Sequence, residues 1–319
     1  MLMETNEFKE IKNKFQTSYF KYIKPNLETF EKERKKFFKL FYFVIFPAIS
    51  TIAAFLIIPI IQIKNKTGDD IEAIFTIAIF SISLIILIYG YLEKKLENKI
   101  KDKFMYAICK CFDNLSWNNR TYMNNPSEFH EIGLVNYYNR NTFDDIFYGK
   151  YKDTPFEIIE AHFRHETGSG KNRHIRTIFQ GIILKIKTNK SYNSHTVVRP
   201  DALIKLGVKN LQRTELEDVV FEKKYDVYTN DEVESRVILN VGLMERLNKA
   251  KEVFEAKKIF CCFIEDKAYI GLHTCKDMFK LCSLKKNINN AEYFIKLFDE
   301  IISVYKLIDH LNLTQEKLV

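Results

Sequence analysis

The sequence predicts an α+β protein: an N-terminal transmembrane helical hairpin with helical extensions, followed by a cytoplasmic domain with a mainly antiparallel sheet and a C-terminal helix. Three observations predict this fold class: two long uncharged apolar segments, a series of strand-like patterns after residue 126, and an amphipathic pattern near the carboxyl end. The 319 residues are 46% hydrophobic, which is enough for a substantial core. We therefore expect an ordered chain.

Two segments, residues 40–63 and 73–92, contain no charged side chain. Each is at least as long as the roughly 20 residues that a helix needs to cross a bilayer. A cleaved signal peptide is not expected, because the first segment follows a long leader of mixed charge and exceeds the usual apolar length of such a signal. The two segments are predicted to be membrane spans, joined by an outer loop at residues 64–72.

Basic residues flank the two predicted spans on one side. They precede the first span and follow the second: Lys32, Arg34, Lys35, Lys36, Lys39, Lys94, Lys95, Lys99, Lys101 and Lys103. The positive-inside rule then places both termini in the cytoplasm and makes the chain a multi-pass membrane protein. Aromatic residues suited to the headgroup level lie on the same side: Phe41, Tyr42, Tyr89 and Tyr91.

Both spans are predicted to continue as cytoplasmic helices, as a leader at residues 1–39 and a stalk at residues 93–126. Apolar residues recur at helical spacing in both: Phe8, Ile11, Phe15 and Tyr19 in the leader, and Leu92, Leu96, Ile100, Phe104 and Ile108 toward the stalk. Either these stripes pair as an antiparallel stalk, or the lysine-rich leader lies on an anionic membrane surface. The sequence leaves both arrangements open.

Residues 127–319 form the predicted cytoplasmic domain. A short helical pattern after Ser127 precedes the strand patterns DIFYGKY, FEIIEAHFRHE, RHIRTIFQGIILKIK and HTVVRP, separated by turns at KDTP, GSGKN and TNKSYNS. Two further strands, KIFCCFI and KAYIGLHT, are predicted to form a hairpin that turns at Glu265 and Asp266. The segment AEYFIKLFDEIISVYKLIDHL predicts the C-terminal helix. Residues 201–215 show no clear pattern.

The most regular stretch, residues 216–247, contains a predicted strand, VVFEKKYDVY, and then a helix. Thr229 and Glu232 have the spacing of a capping box at the start of that helix. The helix is expected to break at Gly242. Its predicted core-facing residues are Val233, Val237, Ile238 and Val241, with Met244 or Leu243.

This stretch, with FQGIILKIK, HTVVRP and the preceding span hairpin, resembles the bacterial membrane-protein family known only as a domain of unknown function, DUF3137. The resemblance extends over most of residues 100–310 and is sharpest over residues 216–247. Many members carry two spans, so the resemblance implies a membrane anchor and a cytoplasmic domain at a bacterial inner membrane. It brings no activity, substrate or catalytic residue to positions of this chain.

No familiar metal or nucleotide pattern is present. A group of histidines and carboxylates lies on adjacent predicted strands: His162, His165, His174, Glu160 and Glu166. Residues three apart on a strand point to opposite faces, so a metal ion shared by His162 and His165 is not expected. GSGKN lacks the Gly spacing and the following Ser or Thr of a phosphate loop. We therefore expect neither a metal nor a cofactor.

The six cysteines show no C-x-x-C spacing, and a cytoplasmic domain keeps them reduced. Cys261 and Cys262 are expected to act as small buried apolar residues on alternate faces. A nucleophilic pairing of one of them with His273 across the predicted hairpin stays open, although no third group is present in the sequence pattern to orient that histidine.

Four basic residues around the predicted central strands form a candidate basic surface: Lys185, Lys187, Lys190 and Arg199. Beside a membrane such a surface suits anionic lipid headgroups, in line with the net charge of +8. A nucleic-acid partner is not expected, because no RNA- or DNA-binding motif accompanies these residues. The expected partners are the lipid bilayer, with anionic headgroups or a protein.

The sequence favours a membrane-anchored binding or scaffold module over an enzyme, because no catalytic constellation is visible. The alternative is a membrane-bound enzyme whose site is assembled from histidine, cysteine and carboxylate residues distant in sequence. A concave pocket where such side chains converge would favour the enzyme. A flat or groove-like basic or apolar face would favour binding.

Overall fold

A computed structural model describes residues 6–61, 68–112, 114–119, 123–201, 207–215, 219–289 and 291–315. The chain divides into two compact units. A helical unit comprises Asn13–Ala107 and Lys280–Ile295, and a sheet unit comprises Met1–Lys12, Ile108–Phe279 and Lys296–Val319. No pattern in the sequence predicts that residues 280–295 belong with the N-terminal helices.

The N-terminal region consists of α1 (Asn6–Ser18), a π-helical turn (Tyr19–Ile23), α2 (Lys24–Ile61) and α3 (Gly68–Cys109). Ring contacts join α2 to α3: Phe30 lies 5.3 Å from Phe104, and Phe41 lies 5.0 Å from Tyr89, between ring centroids. Because the contacting residue number rises on α2 as it falls on α3, the two helices form an antiparallel hairpin.

Both predicted apolar stripes are largely buried. All five residues of the stalk stripe are buried, as are Phe8, Ile11 and Phe15 of the leader stripe. The Phe30 ring of α2 packs against Phe104 of the stalk stripe. Phe30 lies in the predicted leader but outside its apolar stripe, so the pairing of the two stripes stays a prediction. The helix α2 begins before Pro25 and continues without a break, since proline is compatible with the first helical turn.

The segment Lys280–Ile295 is held in the helical unit by carboxylates from both long helices. The backbone N–H of Ile288 donates to Glu31 of α2 (3.1 Å), and the backbone N–H of Leu284 donates to Glu93 of α3 (3.2 Å). Glu31 also accepts a hydrogen bond from Arg34 (2.6 Å). These bonds satisfy backbone donors of a segment that lacks regular secondary structure of its own over residues 280–289.

Within the part of the chain that the structure describes, no helix combines the length and the apolar composition that a membrane crossing needs. The side chains of residues 48–75, and all of residues 62–67, lie outside the described part. Much of both predicted spans and of the predicted outer loop at residues 64–72 falls there.

The sheet unit holds a seven-stranded antiparallel sheet, and this confirms the predicted sheet type. Its strands are β1 (Leu115–Asn118), β2 (Arg140–Tyr151), β3 (Thr154–Thr167), β4 (His174–Pro200), β5 (Gln212–Thr214), β6 (Tyr225–Thr229) and β7 (Lys258–His273). The strand order is β1-β2-β3-β4-β6-β5, and β7 pairs with β4 outside that path. The predicted turns at KDTP and GSGKN are confirmed as the β2–β3 and β3–β4 connections.

Strands β4 and β7 are each continuous where the sequence predicted two strands and a turn. They pair with one another from Gly181↔His273 to Val198↔Cys261, with register shifts between Lys187 and Thr196. The strands β4 and β7 together form one long two-stranded ribbon. The polar segment TNKSYNS and the Glu265–Asp266 pair lie where the pairing of these two strands shifts register. Glu265 has φ 53°, which is a left-handed conformation typical of a bulge rather than of continuous strand. The predicted hairpin turn at these residues is wrong.

Among the described residues after Cys109 there are five α-helices: α4 (Glu128–Glu131), α5 (Val219–Glu222), α6 (Glu232–Ile238), α7 (Val241–Val253) and α8 (Glu292–Gln315). The C-terminal helix is confirmed as α8. The helical pattern after Ser127 forms only one turn, and the first residues of the predicted VVFEKKYDVY strand form α5 instead.

Each sheet face has its own apolar core. On one face, Phe129 of α4 packs with Phe163 and Phe179 in a large aromatic and aliphatic cluster. On the other face, Tyr305 of α8 lies 4.5 Å from Tyr151 and 5.5 Å from Phe156, between ring centroids. Aromatic contacts of this kind add specific geometry to the burial of apolar area.

The cap of α6 is Asp231 rather than Thr229. The Asp231 carboxylate accepts a hydrogen bond from the backbone N–H of Glu234 (3.0 Å). Thr229 is the last residue of β6, and its hydroxyl lies 3.0 Å from the hydroxyl of Thr196 on β4. Glu232 pairs with Arg236 one turn later (2.7 Å). The predicted Thr229–Glu232 capping box is therefore wrong, because pairing within the sheet already holds Thr229.

The helix after β6 also buries a different face from the one predicted. Val233 is 75% exposed, and Val237 and Val241 are exposed as well. Ser235 and Leu239, one turn apart, are buried instead, while Leu243 and Met244 are buried as expected. The break falls at Leu239–Asn240, where Asn240 caps α7, and not at Gly242. This early break lets the two short helices bury different faces.

Candidate functional site

Three carboxylates meet at a bulge of β2 in the sheet unit. The β2–β3 register shifts between Phe143 and Ile146, so Asp144 and Asp145 together face Glu160. One oxygen of each side chain lies within 4.8 Å of the others. Oxygen-only ligand sets suit hard divalent cations such as Mg²⁺ and Ca²⁺, so within the described part of the chain these residues could hold one.

Two of these carboxylates are buried and hydrogen-bonded. The indole N–H of Trp117 donates to Asp145 (2.7 Å), and the backbone N–H of Met278 donates to Glu160 (2.8 Å). These donors offset part of the repulsion between neighbouring negative charges. The sequence pattern groups Glu160 only with the histidines, and it does not predict Asp144 and Asp145 as site residues. The available signal was two consecutive aspartates in a strand, where aspartate is depleted.

The histidines weighed for a metal site lie apart from one another. The Nε2 atom of His162 lies 3.4 Å from the Thr177 hydroxyl, whereas the His165 ring packs edge-on against Tyr137 at 5.5 Å. The two side chains therefore point to opposite faces of β3, as their spacing predicts. His174 is exposed at the start of β4.

The cysteine and histidine residues form two separate pairs. Cys262 is buried, its Sγ atom lies 3.5 Å from Nε2 of His195, and burial raises the pKa of its thiol well above the usual range. His273 instead contacts Cys275, with 3.0 Å between Nε2 and Sγ. The open pairing of His273 with Cys261 or Cys262 is therefore wrong. Buried thiols of raised pKa are poor nucleophiles.

His273 has a fixed proton arrangement. Its Nδ1 atom accepts a hydrogen bond from the backbone N–H of Gln180 (2.9 Å), so the neutral ring carries its proton on Nε2. That N–H faces the sulfur of Cys275. Burial and the nearby Lys258 and Lys257 lower the pKa of His273. The ring is thus a neutral donor to Cys275 and has no free lone pair there to accept its proton.

Three of the four residues of the predicted basic surface contact acidic side chains or backbone oxygens of the sheet unit. Lys185 pairs with Glu128 (2.8 Å), which Tyr269 also contacts, and Lys187 lies 3.4 Å from Asp266. Arg199 donates to backbone oxygens of the turn after α4, and burial lowers its pKa. The side chain of Lys190 lies outside the described residues. The basic surface stays a prediction.

Large apolar side chains are exposed along the hairpin of the helical unit. Phe43 on α2 is 80% exposed and Phe80 on α3 is 69% exposed. We call the set the apolar sleeve, and its members are Leu40, Tyr42, Phe43, Phe46, Ile79, Phe80, Ile82, Leu84, Ile86, Leu87 and Tyr91. Single exposed apolar residues are ordinary, whereas a set of this size on two paired helices is unusual.

Lysines and aromatic rings adjoin one end of the apolar sleeve. The ammonium groups of Lys95 and Lys99 lie 5.7 Å from the ring centres of Tyr91 and Phe37, respectively. Lys285, from the segment 280–295, lies 5.6 Å from the ring centre of Tyr89. Each of these contacts places a cation over the face of an aromatic ring, where the two attract one another.

These features define a class of protein: an antiparallel α+β domain in a chain that also carries an antiparallel helical hairpin with an apolar sleeve. Residues 177–313 match the family described as a protein of unknown function, DUF3137. The family resemblance noted from the sequence is thereby confirmed over those residues. They include most of β4, the strands β6 and β7 that flank its second half, and most of α8.

Other comparisons give little. No curated protein matches the chain. The chain is similar to the crystal structure of the mycobacterial trehalose monomycolate transport factor A, with 9% sequence identity and a TM-score of 0.29. The superposition covers 54% of this chain and 75% of the transport factor. A similarity at that level supports no argument about fold or function.

Proposed function

We propose that this protein is a membrane-anchored binding or scaffold module. The helical hairpin is the anchor, with spans at residues 40–63 and 73–92 in the bacterial inner membrane, and both termini are cytoplasmic. The cytoplasmic α+β domain contacts anionic lipid headgroups or a protein partner. The single observation that supports this proposal most is the apolar sleeve on α2 and α3.

The energetic argument concerns the cost of leaving the sleeve in water. Removing one large apolar side chain from water gains roughly 1.5–3 kcal/mol. The sleeve has many such side chains, and the uncharged segments that carry them extend beyond it, to residue 63 on one side and from residue 73 on the other. Acyl chains accept this surface without any need for a protein partner. The lysines near Tyr91 and Phe37 support a cytoplasmic location for that end.

Cell fractionation and cysteine labelling test the proposal. The full chain is expected in the membrane pellet after carbonate washing and in solution only with detergent. Cys275 is exposed, so a membrane-impermeant maleimide should label it only after permeabilisation. In a Cys275→Ser background, Lys66→Cys in the predicted outer loop should react in intact spheroplasts. A stable monomer without detergent would contradict the anchor, and labelling of Cys275 in intact cells would contradict the cytoplasmic location of the domain.

A membrane-bound enzyme is the second candidate, and the Asp144, Asp145 and Glu160 cluster is the observation that favours it. Neighbouring carboxylates in different environments can divide acid and base roles. Assays of the purified chain on a panel of ester, phosphoester and glycoside substrates, alongside Asp145→Asn, test this candidate. Turnover that the variant loses would support an enzyme, and no turnover would favour the binding module.

A further inference from the structure

Hydrogen-bond donors gather on one sheet face at the end of β2, β3 and β4 that lies beside the β3–β4 turn. The register pairs Arg140 with Arg164 and Arg164 with Thr177, and in the next row Thr142 with His162 and His162 with Gln180. Cross-strand partners share a face, and neighbouring strands lie about 4.8 Å apart. We call these six residues the donor block: Arg140, Thr142, His162, Arg164, Thr177 and Gln180.

Side-chain contacts confirm that the donor block lies on one face. His162 approaches the Thr177 hydroxyl at 3.4 Å. The register shift between Phe163 and Arg164 adds Ile178 to β4, and Ile178 packs with the apolar cluster on the opposite face. The extra residue thereby keeps Thr177 beside Arg164. All six side chains are partly or fully exposed, so a ligand can reach this part of the sheet.

Arg164 is the central and unusual member of the block. Its Nε atom is buried and has no hydrogen-bond partner among the described residues. A buried donor without an acceptor costs roughly 1–3 kcal/mol, more for a charged group. The carboxylate nearest along that strand face, Glu166, is bound instead by Arg140 (2.9 Å) and by Arg173 (2.6 Å). Glu166 is therefore shared by two other arginines, while the Nε donor of Arg164 stays unsatisfied among the described residues.

We propose that the donor block binds the phosphate group of a ligand, with Arg164 as its central contact. A guanidinium offers a planar fork of N–H donors that matches two phosphate oxygens. Arg140 on β2 and Thr177 on β4 flank Arg164 in the register. The Nε atom of Arg140 already donates to Glu166 (2.9 Å), so the proposed contact of Arg140 with the phosphate uses its terminal amino groups. A phosphate dianion matches two guanidinium groups better than a carboxylate does, because it has more charge and more acceptor oxygens.

His162 adds a neutral donor to the same site. Burial, and then the charge of Arg164, lowers the pKa of His162, so the ring is neutral at pH 7. In its Nε2–H form it can donate toward the Thr177 side of the block. The donor block belongs to the sheet unit and does not depend on the proposed anchor.

Calorimetric titration of the full chain in detergent micelles with inorganic phosphate, at constant ionic strength, tests the proposal. Phosphate should bind the unaltered chain, and Arg164→Gln should weaken binding roughly ten- to hundredfold, the size expected for a lost charge-assisted contact. Arg236→Gln is the matched control, because it removes the same charge from an exposed arginine on α6. That control should bind phosphate like the unaltered chain.

Two further variants and two further ligands complete the test of phosphate binding. Arg140→Gln and Thr177→Val alter exposed residues and carry the test if Arg164→Gln misfolds by circular dichroism. Titrations with glycerol 3-phosphate and with dioctanoyl phosphatidic acid distinguish a soluble phosphate ligand from a lipid headgroup. Binding of the lipid that is tighter than binding of glycerol 3-phosphate and that depends on Arg164 would indicate a headgroup. Equal binding of the two would indicate a soluble phosphate. No phosphate binding, equal losses in Arg236→Gln, or acetate binding as tightly as phosphate would overturn the proposal.

Discussion

At the scale of single residues, burial divides the six cysteines into two groups. Five are buried, and Cys275 is exposed beside His273. Burial raises the pKa of Cys109 and of Cys282 to about 12, and that of Cys261 and Cys262 higher still. Since the thiolate is the reactive form, a raised pKa lowers the reactive fraction at neutral pH.

We expect one fast thiol in the folded chain. At pH 8 a thiol of pKa about 12 is roughly one part in ten thousand thiolate, so the buried groups should react slowly with Ellman's reagent. One equivalent should react quickly in the native chain and six after unfolding in guanidinium. Cys275→Ser should abolish the fast phase. Fast reaction of two or more thiols, or a fast phase that survives in Cys275→Ser, would show that the buried environment is wrong.

Residue-scale patterns were only partly readable from the sequence. The spacing of His162 and His165 predicted opposite faces, and their contacts agree. The Thr229–Glu232 spacing fitted a capping box, but Asp231 and Glu234 offer the same spacing and form the cap. Which of the two residues forms the cap depends on where β6 ends. That position is set by the pairing of β6 with β4, which is distant in sequence. The donor block was invisible because register joins residues from three strands.

At the scale of elements, the strands with local partners were the predictable ones. The β2 and β3 hairpin turns at Lys152 and Asp153, both of which have positive φ, as the KDTP pattern indicated. By contrast, β4 and β7 pair over a long sequence separation, and their bulges occur at polar residues that resemble turns. A local pattern cannot separate a bulge in a long ribbon from the turn of a hairpin, because both favour the same residues.

Gly181 in β4 should not tolerate a side chain. Its φ is 154°, and a Cβ atom would overlap the carbonyl oxygen of Leu272 on β7. Backbone atoms of a central ribbon cannot move aside, so Gly181→Ala should lower the free energy of unfolding by about 2–4 kcal/mol. Gly207→Ala is the control, since its Cβ would meet open space, and should change stability by less than about 0.5 kcal/mol. Urea unfolding measures both, and equal stabilities would refute the clash.

At the scale of the whole molecule, chain order and compact units do not coincide. The helical unit takes the segment Lys280–Ile295 from late in the chain, after all seven strands have been completed. Hydrogen bonds from the segment's backbone to Glu31 and Glu93 help to hold it there. The sequence could not indicate this arrangement, because the segment has no regular pattern and its anchors lie about 190 residues or more away.

Removing those two carboxylates should expose the segment to protease. In Glu31→Ala with Glu93→Ala, two backbone donors lose their acceptors, at a cost of roughly 1–3 kcal/mol each. The population of molecules in which the segment Lys280–Ile295 is detached should rise at least tenfold. Trypsin should therefore cleave after Lys285 or Lys286 at least tenfold faster. Mass spectrometry of timed digests measures the rate. Glu28→Ala, an exposed position on α2, should leave it unchanged, and equal rates in the two variants would exclude the anchoring role.

The β4–β7 ribbon has a consequence for any attempt to divide the sheet. The first half of β4 pairs with β3 and its second half with β6, while β7 follows both halves along the opposite edge. New chain ends placed between residues 188 and 195, as in a circular permutant, would sever the shared backbone of both strand sets at once. The half of β4 that pairs with β3 and the half that pairs with β6 would then no longer be joined by a continuous backbone. This interior position is therefore an unsuitable place for a cut.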